Sequence, residues 1–365
     1  MKNKHPLIVN GYDFGNNKVY GIHRNAMETM RAMDDLLCKT DSDFEVEVVV
    51  PEMTSSTPQY KKIKVSCLSL PHVSQLDKIK WRSRFFPSYV EEHGGLGLDM
   101  TLAFPHSGKY CVFDYDCIPE NMPNSCYGAF ATVRVRHYKN RVSKSLNNAV
   151  LVFTDSKYSK DQIEKIYGVN PCKIVVIPCA WQHMLRVKQD DGILERLGLE
   201  DGRYFFSLGS RYPYKNFHWV ACAARNNPQY RFVVTGSNVN EGCTCKDNEL
   251  ANLTFTGYLS DGEVKALEAH CRAFLHPSLA EGFGIPPLEA MSVGAHCVVS
   301  NAASLPEVYG ESVWYIDPTD YEHIDLDEIL SRPLKGSIED VLSRYSWENS
   351  ARLLLDALAQ VGDLL

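Results

Sequence analysis

The sequence has no long apolar run, although 44% of its 365 residues are hydrophobic. No stretch approaches the roughly 18 consecutive apolar residues that a membrane-spanning helix needs. The first residues, MKNKHPLIVNGY, lack the apolar core and the small-residue cleavage site of a secretory signal. These absences predict a cytoplasmic protein that does not cross a bilayer.

Positive charge is also in short supply. Lys and Arg number 38 against 45 Asp and Glu, which gives a formal net charge of -7. A protein that binds nucleic acid needs a basic surface to neutralise the phosphate backbone. The composition therefore argues against a nucleic-acid partner.

Closely spaced cysteines are scarce, even though the chain has 12 cysteines. Cys243 and Cys245 are the one close pair, and a zinc site would need two more ligands beside them. The other cysteines are scattered through predicted strands and helices, as is typical of reduced, buried thiols. We therefore predict neither a disulfide framework nor a metal centre.

The length suits two domains of similar size. In both halves, short apolar strands alternate with glycine-bounded loops and helical segments, which predicts an α/β fold. The polar stretch 182–191 is predicted to be a linker. This interpretation gives one domain at 1–185 and another at 190–345, with a final amphipathic helix at 346–365.

The segment 276–307 contains the strongest functional signal. Its EGFGIPPLEA motif places Glu281 in a glycine-flanked turn and Glu289 in the helix that follows, with Pro286 and Pro287 in the first helical turn. Amides at such a turn favour oxygen-rich, negatively charged ligands. Both glutamates can therefore face one ligand; the alternative is that they are solvated surface charges.

Two cations follow the first strand of the second half. Gly209 ends the strand YFFSL, and Arg211 and Lys215 lie in the loop behind it. Arginine offers forked hydrogen bonds and lysine a compact charge, a combination that suits a diphosphate. The alternative is a pair of exposed loop cations.

Together these motifs resemble the retaining, nucleotide-sugar-dependent glycosyltransferases of family 4, also called glycosyl transferases group 1. The similarity lies in the E-x7-E spacing of Glu281 and Glu289 and in a G-S-x-x-P-x-K-N loop that ends at Asn216. It implies the GT-B fold, in which two Rossmann-like, doubly wound domains face each other across a cleft. The first domain would bind the acceptor, and the second would bind the donor.

The resemblance also implies roles for individual residues. Lys215 and Arg211 would hold the diphosphate, Glu281 would lie beside the sugar, Glu289 would bind the ribose and Asp116 would orient a hydroxyl. Arg211 lies one position later than the arginine of many relatives. The remaining residues implied in donor binding are Gly21, Gly209, Ser210, Tyr258, Gly282, Phe283, Gly284 and Ile285. Tyr258 has an alternative role as a core residue.

The acceptor side rests on weaker similarities. Arg24 lies in a GIHR segment that resembles the family's entry to its first helix. Tyr115 stands where relatives carry a histidine, and His106 is a candidate to replace that histidine. Ser156 is expected to cap a helix, with ligand contact as the alternative.

The segment 78–89, KIKWRSRFFPSY, interleaves basic and aromatic residues. Such a segment can lie on an anionic membrane surface. Alternatively, its aromatics pack on the sheet and its charges are solvated. Peripheral contact with the inner face of the plasma membrane is an expectation because many relatives glycosylate lipid-linked acceptors.

The resemblance implies a metal-independent transfer with no cofactor. The donor would be a GDP-, UDP- or dTDP-sugar, and the acceptor a glycan or polyprenyl-linked saccharide in bacterial surface polysaccharide synthesis. A rival is a metal-dependent transferase that uses Asp114 and Asp116 as a D-x-D motif. Further alternatives are a GT-B epimerase, a phosphorylase and a non-catalytic nucleotide-sugar binder.

Overall fold

The computed structural model describes residues 4–14, 21–40, 42–69, 79–101, 108–127, 131–209, 212–236 and 250–362. The chain divides into two compact units. The N-terminal unit comprises Met1–Glu120, Thr132–Cys179 and Trp347–Leu365. The C-terminal unit comprises Asn121–Ala131 and Ala180–Ser346.

A parallel sheet forms the centre of the N-terminal unit. Its strands are His5–Asn10 (β1), Phe44–Val50 (β2), Lys64–Cys67 (β3), Leu96–Asp99 (β4), Tyr110–Phe113 (β5), Val152–Thr154 (β6) and Ile174–Val176 (β7). They lie in the order β3-β2-β1-β4-β5-β6-β7. The connection reverses direction between β1 and β4, which makes the sheet doubly wound.

A second parallel sheet forms the centre of the C-terminal unit. Its strands are Tyr204–Ser207 (β8), Arg231–Val234 (β9), Leu253–Phe255 (β10), Ala273–His276 (β11), Cys297–Ser300 (β12) and Trp314–Ile316 (β13). They lie in the order β10-β9-β8-β11-β12-β13, so the reversal falls between β8 and β11. The prediction of two Rossmann-like sheets is therefore confirmed.

Helices flank both sheets. In chain order they are Gly21–Leu37 (α1), Phe86–Glu92 (α2), Ile118–Asn121 (α3), Pro123–Tyr127 (α4), Ala131–Asn148 (α5), Lys157–Tyr167 (α6), Gly192–Leu197 (α7), Phe217–Asn226 (α8), Asp261–His270 (α9), Ile285–Ser292 (α10), Leu305–Tyr309 (α11), Leu326–Ser331 (α12), Ile338–Leu342 (α13) and Trp347–Gly362 (α14). Shorter helical turns lie at Trp81–Phe85, Pro171–Lys173, Gln182–Leu185 and Pro213–Lys215. No helix in the described ranges is long and apolar enough to cross a membrane.

The last helix belongs to the first unit. Helix α14 packs on α1, and its Leu354 and Leu358 share one core with Leu7 and Val9 of β1. Its apolar face recurs at helical spacing, which is why one side of α14 is buried. The N-terminal unit is thus built from segments at both ends of the chain.

The segment 79–89 lies partly inside the N-terminal unit. Trp81 and Phe86 are buried, as the packing alternative predicts. The expectation that the charges are solvated is wrong for Arg82, which is also buried. Its guanidinium pairs with Asp13 at 2.9 Å and Asp99 at 2.8 Å. Lys78 lies outside the described residues.

Residues 182–191, predicted to be a linker, are hydrogen-bonded to other segments of the C-terminal unit. Gln182 Nε2 donates to the Tyr345 carbonyl at 2.9 Å. Lys265 Nζ donates to the carbonyls of Met184 at 2.7 Å and Val187 at 2.9 Å. These hydrogen bonds satisfy backbone carbonyls and attach the segment to its neighbours.

Candidate active site

Two loops meet at one edge of the second sheet. Strands β8 and β11 are hydrogen-bonded neighbours, although about 65 residues of sequence lie between them. The loop after β8 contains Lys215, and the loop after β11 contains Glu281. The carboxyl edge at such a reversal is where doubly wound sheets bind ligands. The parallel topology therefore brings together the two strongest motifs.

Asn216 fixes the loop that carries Lys215. It adopts a left-handed backbone with φ 56° and begins α8. Its buried Nδ2 donates to the carbonyls of Pro277 at 3.0 Å and Pro318 at 2.8 Å. The Leu279 amide also donates to the Tyr214 carbonyl at 2.7 Å. Lys215 thus stands on a turn that is bonded to the Glu281 loop.

Lys215, Glu281 and His276 form a compact charged group. Lys215 Nζ lies 2.7 Å from Glu281 Oε1, and His276 Nε2 lies 2.9 Å from the same oxygen. His276 Nε2 and Glu281 Oε1 are close, but the angles between them do not fit a hydrogen bond. Glu281 is only 8% exposed. A buried carboxylate is therefore balanced by the lysine.

Burial and charge act on Glu281 in opposite directions. Burial raises the pKa of Glu281, but the Lys215 charge and the His276 contact outweigh it, so its pKa is held well below the ordinary value. Burial lowers the pKa of His276, and the Lys215 charge adds to this lowering, whereas Glu281 opposes it. At neutral pH, the group thus contains an ionised glutamate and a neutral histidine.

Hydroxyl groups at the two ends of α11 hold the Glu281 turn. Ser304 Oγ donates to the Glu281 carbonyl at 3.1 Å, and the Tyr309 hydroxyl donates to the Gly284 carbonyl. Gly284 has φ 85°, and a Cβ there would lie 2.5 Å from Leu305 Cδ2. Only glycine meets both requirements. The turn's backbone is therefore closely specified.

Glu289 is held by a histidine that the motifs did not indicate. His183 Nε2 lies 2.6 Å from Glu289 Oε1, and the imidazole is buried. Glu289 lies in α10, which begins at Ile285, directly after the Glu281 turn. Pro286 and Pro287 have no N–H, so they donate no hydrogen bond at this helix start.

Gly209 brings two backbones into close contact. A Cβ at this position would lie 2.1 Å from the Thr235 carbonyl oxygen. The Gly209 amide donates to Thr235 Oγ1 at 3.2 Å. A side chain is therefore excluded at the end of β8. Ser210 and Arg211, which follow it, lie outside the described residues.

Other predicted donor residues differ in exposure. Phe283 is buried and packs edge-on against Tyr345, with ring centroids 5.1 Å apart. Tyr258 is 87% exposed, so the alternative that it fills the core is wrong. Ser260, two residues after Tyr258, caps α9 in a capping box with Glu263. Gly282 and Ile285 flank the Phe283–Gly284 turn.

The predicted acceptor-side residues lie in the N-terminal unit. Arg24 is half-buried in the first turn of α1, and Gly21, which was predicted to bind the donor, is exposed at the start of the same helix. Tyr115 is buried, and its hydroxyl donates to the Met100 carbonyl at 2.6 Å. This placement makes Tyr115 a core residue of the described structure. His106 lies outside the described residues.

Two other polar residues of this unit have structural contacts. Asp116 Oδ1 accepts from the Ile118 amide at 2.9 Å, at the start of α3. Ser156 caps α6 by accepting from the Ser159 amide at 3.0 Å, so the cap interpretation is confirmed.

Asp114, the first aspartate of the D-x-D motif, is a buried residue of the N-terminal unit. Its side chain is buried, and Oδ2 has no hydrogen-bond partner among the described residues. Burial raises the pKa of Asp114 well above its ordinary value, and the charges of Asp116 and Glu120 add to the effect. No group of three His, Cys, Asp or Glu in the described ranges could hold a metal ion.

Sequence reasoning missed three residues of this site. His276 and Asn216 lie at the ends of recognised segments. Nothing in the sequence distinguishes them from any other polar residue that ends a buried strand or precedes a helix. His183 is 106 positions before Glu289, so no local pattern could connect the two. Their roles depend on tertiary contacts.

Comparison with known proteins agrees with this geometry. Residues 191–336 match the family model of glycosyl transferases group 1. The chain is 28% identical over 298 residues to the O-antigen chain mannosyltransferase B of Escherichia coli, covering 76% of each. It is 27% identical over 238 residues to the O-antigen chain mannosyltransferase RfbU of Salmonella typhimurium strain LT2, covering 61% of this chain and 64% of that protein.

A solved structure has a similar fold over almost the full length. The sucrose-phosphate synthase of Thermosynechococcus elongatus has a TM-score of 0.74 at 15% identity, covering 99% of this chain and 100% of that one. Fold and motifs together define a glycosyltransferase with the GT-B fold. The predicted resemblance to glycosyl transferases group 1 is confirmed for residues 191–336, and the assignment to family 4 stays a prediction.

Proposed function

We propose that this glycosyltransferase moves mannose, with retention of anomeric configuration, from a nucleotide diphosphate to a hydroxyl of a growing glycan or lipid-linked saccharide. The two O-antigen mannosyltransferases among its relatives support mannose and a role in bacterial surface polysaccharide synthesis. The retaining route and the assignment to family 4 rest on the E-x7-E resemblance. GDP-mannose is the first donor to test.

The observation that carries this proposal is the ion pair of Lys215 and Glu281 at the carboxyl edge of the second sheet. A cation fixed at this edge suits a diphosphate, and a carboxylate beside it suits the hydroxyls of the transferred sugar. Glu289, eight positions further along, would bind the ribose hydroxyls. These three side chains would contact the diphosphate, the transferred sugar and the ribose of a nucleotide sugar.

In this proposal, Lys215 and Arg211 stabilise negative charge that develops on the departing diphosphate. Such preorganised charge commonly contributes more to enzyme catalysis than any other single effect. The acceptor hydroxyl would attack from the face that the diphosphate leaves, without a protein nucleophile. Glu281 would hold the sugar during this step.

The charge stabilisation requires no metal ion. The neutral, buried Asp114 supports this choice over the D-x-D rival. We therefore expect EDTA to change the rate of mannosyl transfer little. A loss of activity that Mn²⁺ or Mg²⁺ restores would favour the metal-dependent rival.

Contact with an anionic membrane surface would bring the enzyme to a lipid-linked acceptor. Helix α5 contains no acidic residue and exposes Arg134, Arg136, Lys139 and Lys144. The exposed positive charge of this helix is attracted to anionic lipid. Co-sedimentation with vesicles containing phosphatidylglycerol, but not with neutral vesicles, would support this contact at the cytoplasmic membrane face.

The deciding experiment is a panel of GDP-mannose, UDP-glucose and dTDP-rhamnose. We expect GDP-mannose to raise the melting temperature most and to be hydrolysed slowly without an acceptor. A binder without catalysis would be stabilised but would release no mannose. An epimerase would convert the sugar while it stays attached to the nucleotide, and a phosphorylase would need none of the three.

A further inference from the structure

Glu281 has two positively chargeable neighbours on one oxygen. Lys215 Nζ and His276 Nε2 both contact Oε1, at 2.7 and 2.9 Å. Oε2 makes no hydrogen bond or ion pair with the described residues. Oε1 is thus the anchored oxygen of this carboxylate, and Oε2 is left for a ligand.

Donor binding would disturb this arrangement. Under the proposed function, the diphosphate draws the Lys215 ammonium toward its own oxygens. Glu281 would then remain buried without its full positive partner. A buried charge that loses its partner is strongly unfavourable, so a second cation must compensate it.

His276 is the group that can supply this charge. It is buried at the end of β11, and among the described residues Glu281 and Lys215 are the charged groups that act on it. Movement of Lys215 toward phosphate removes one positive charge from its surroundings. The phosphates add negative charge to the same edge of the sheet. Both changes favour the imidazolium form.

We propose that His276 takes up one proton from solvent when a nucleotide sugar withdraws Lys215 from Glu281, and that the imidazolium then becomes the counter-charge of Glu281. This inference rests on the proposed function. No bond of the substrate forms or breaks in this step, since the proton adds to the unprotonated nitrogen of the imidazole ring. His276 is a positioning residue because it acts on the sugar only through Glu281.

Calorimetry tests the proton uptake directly. GDP-mannose is titrated into the full chain at about pH 7.5, in two buffers that differ in ionisation enthalpy. The two phosphates of GDP-mannose do not titrate near this pH, so a buffer-dependent heat reports on the protein. We expect about one proton to be taken up per GDP-mannose bound.

The same linkage predicts how affinity depends on pH. Because the complex binds more protons than the free enzyme, the association constant should fall as pH rises between about 6.5 and 8.5, by at most about tenfold per pH unit. In His276→Gln the side chain can still donate a hydrogen bond but cannot take up a proton. We expect this variant to bind GDP-mannose more weakly, with no proton uptake and a flatter pH dependence.

His323→Gln is the matched control, since it removes an exposed imidazole from the same unit. It should keep the proton uptake of the natural chain. Binding without uptake, or uptake that persists in His276→Gln, overturns the inference and leaves the proposed function intact. If no sugar nucleotide of the panel binds, both fail.

Folding of His276→Gln is checked by circular dichroism. If it does not fold, the natural chain decides the question. An affinity for GDP-mannose that is constant over the stated pH range overturns the inference.

Discussion

At Glu281, burial and a neighbouring cation compete, and the cation wins. A carboxyl with 8% exposure would ordinarily be harder to ionise, yet the Lys215 ammonium at 2.7 Å keeps it charged. The ammonium is partly buried and held at one edge of the second sheet in the absence of a ligand. Under the proposed function, a charge placed there in advance lowers the cost of stabilising the departing diphosphate.

Lys215→Ala should reduce kcat of mannosyl transfer by about 100- to 1000-fold, since it removes charge stabilisation of the departing diphosphate. Steady-state kinetics with GDP-mannose measures this effect. Lys335→Ala removes an exposed lysine that pairs with Glu311 at 2.9 Å, and it should leave kcat unchanged. A kcat in Lys215→Ala within a few fold of the natural value would refute the assigned role.

Asp114→Asn should change stability in a pH-dependent way. The folded-state pKa of Asp114 is raised, so the natural chain loses stability as pH rises above the unfolded-state pKa of about 4. The neutral amide avoids this loss. We expect similar stability at about pH 4, and an advantage of about 1–3 kcal/mol for Asp114→Asn at about pH 7.5.

Urea unfolding at the two pH values measures this difference. Asp161→Asn, at an exposed position in the same unit, controls for the loss of one acidic side chain. An advantage of Asp114→Asn that shrinks with rising pH would contradict the assignment of a neutral carboxyl.

At the scale of elements, a short helical turn holds one carboxylate of the proposed donor site in place. The Gln182–Leu185 turn is fastened to the C-terminal unit and directs His183 at Glu289 in α10. A hydrogen bond to a charged group is commonly worth about 1.5–3 kcal/mol. The turn therefore positions the carboxylate that is proposed to bind ribose.

His183→Ala should weaken GDP-mannose binding by about 10-fold, since Glu289 loses its 2.6 Å partner. Because the ribose lies away from the reacting bond, kcat should change little. KM and kcat from one titration separate these effects. His183→Gln should recover part of the affinity, whereas equal loss in both parameters would indicate general misfolding instead of a positioning role.

At the scale of the whole molecule, donor binding and N-terminal unit stability should be separable. Leu358→Ala leaves a cavity in the core that α14 shares with β1, and should cost about 2–5 kcal/mol of that unit's unfolding free energy. Leu353→Ala, at a 37% exposed position in the same helix, should cost less than about 1 kcal/mol.

Urea unfolding and GDP-mannose titration of both variants provide the check. Lys215, Glu281 and Glu289 of the proposed donor site lie in the C-terminal unit, so the dissociation constant should match that of the natural chain in each. A Leu358→Ala variant with normal stability would show that α14 is not needed to complete the core.

Much of the fold was predictable because parallel strands are short apolar runs bounded by glycine or polar loops. Strands β8 and β11 have this pattern, and their motifs located the Lys215–Glu281 edge. The sequence pattern does not predict strand β4, because LGLD is short and contains a glycine. Helix α5 was also missed, since its polar and basic residues give no continuous apolar face.

The contacts within the site were less predictable. A sequence motif identifies Glu281 and Glu289, but not His276 on the same oxygen or His183 behind the helix. Such pairs depend on the order of strands and on loop geometry, neither of which has a local sequence period. Burial is equally hard to read from a motif: Tyr115 lies at a position that the resemblance assigns to the acceptor side, and its side chain is buried in the described structure.

The position of α14 has a consequence for biosynthesis. A ribosome releases this helix only after it has made the entire C-terminal unit, so the first sheet emerges long before its last supporting element. During that interval, the part of the N-terminal core that α14 covers stays exposed to solvent and accessible to chaperones. The later-made half can thus mature first, which reverses the usual order of vectorial folding.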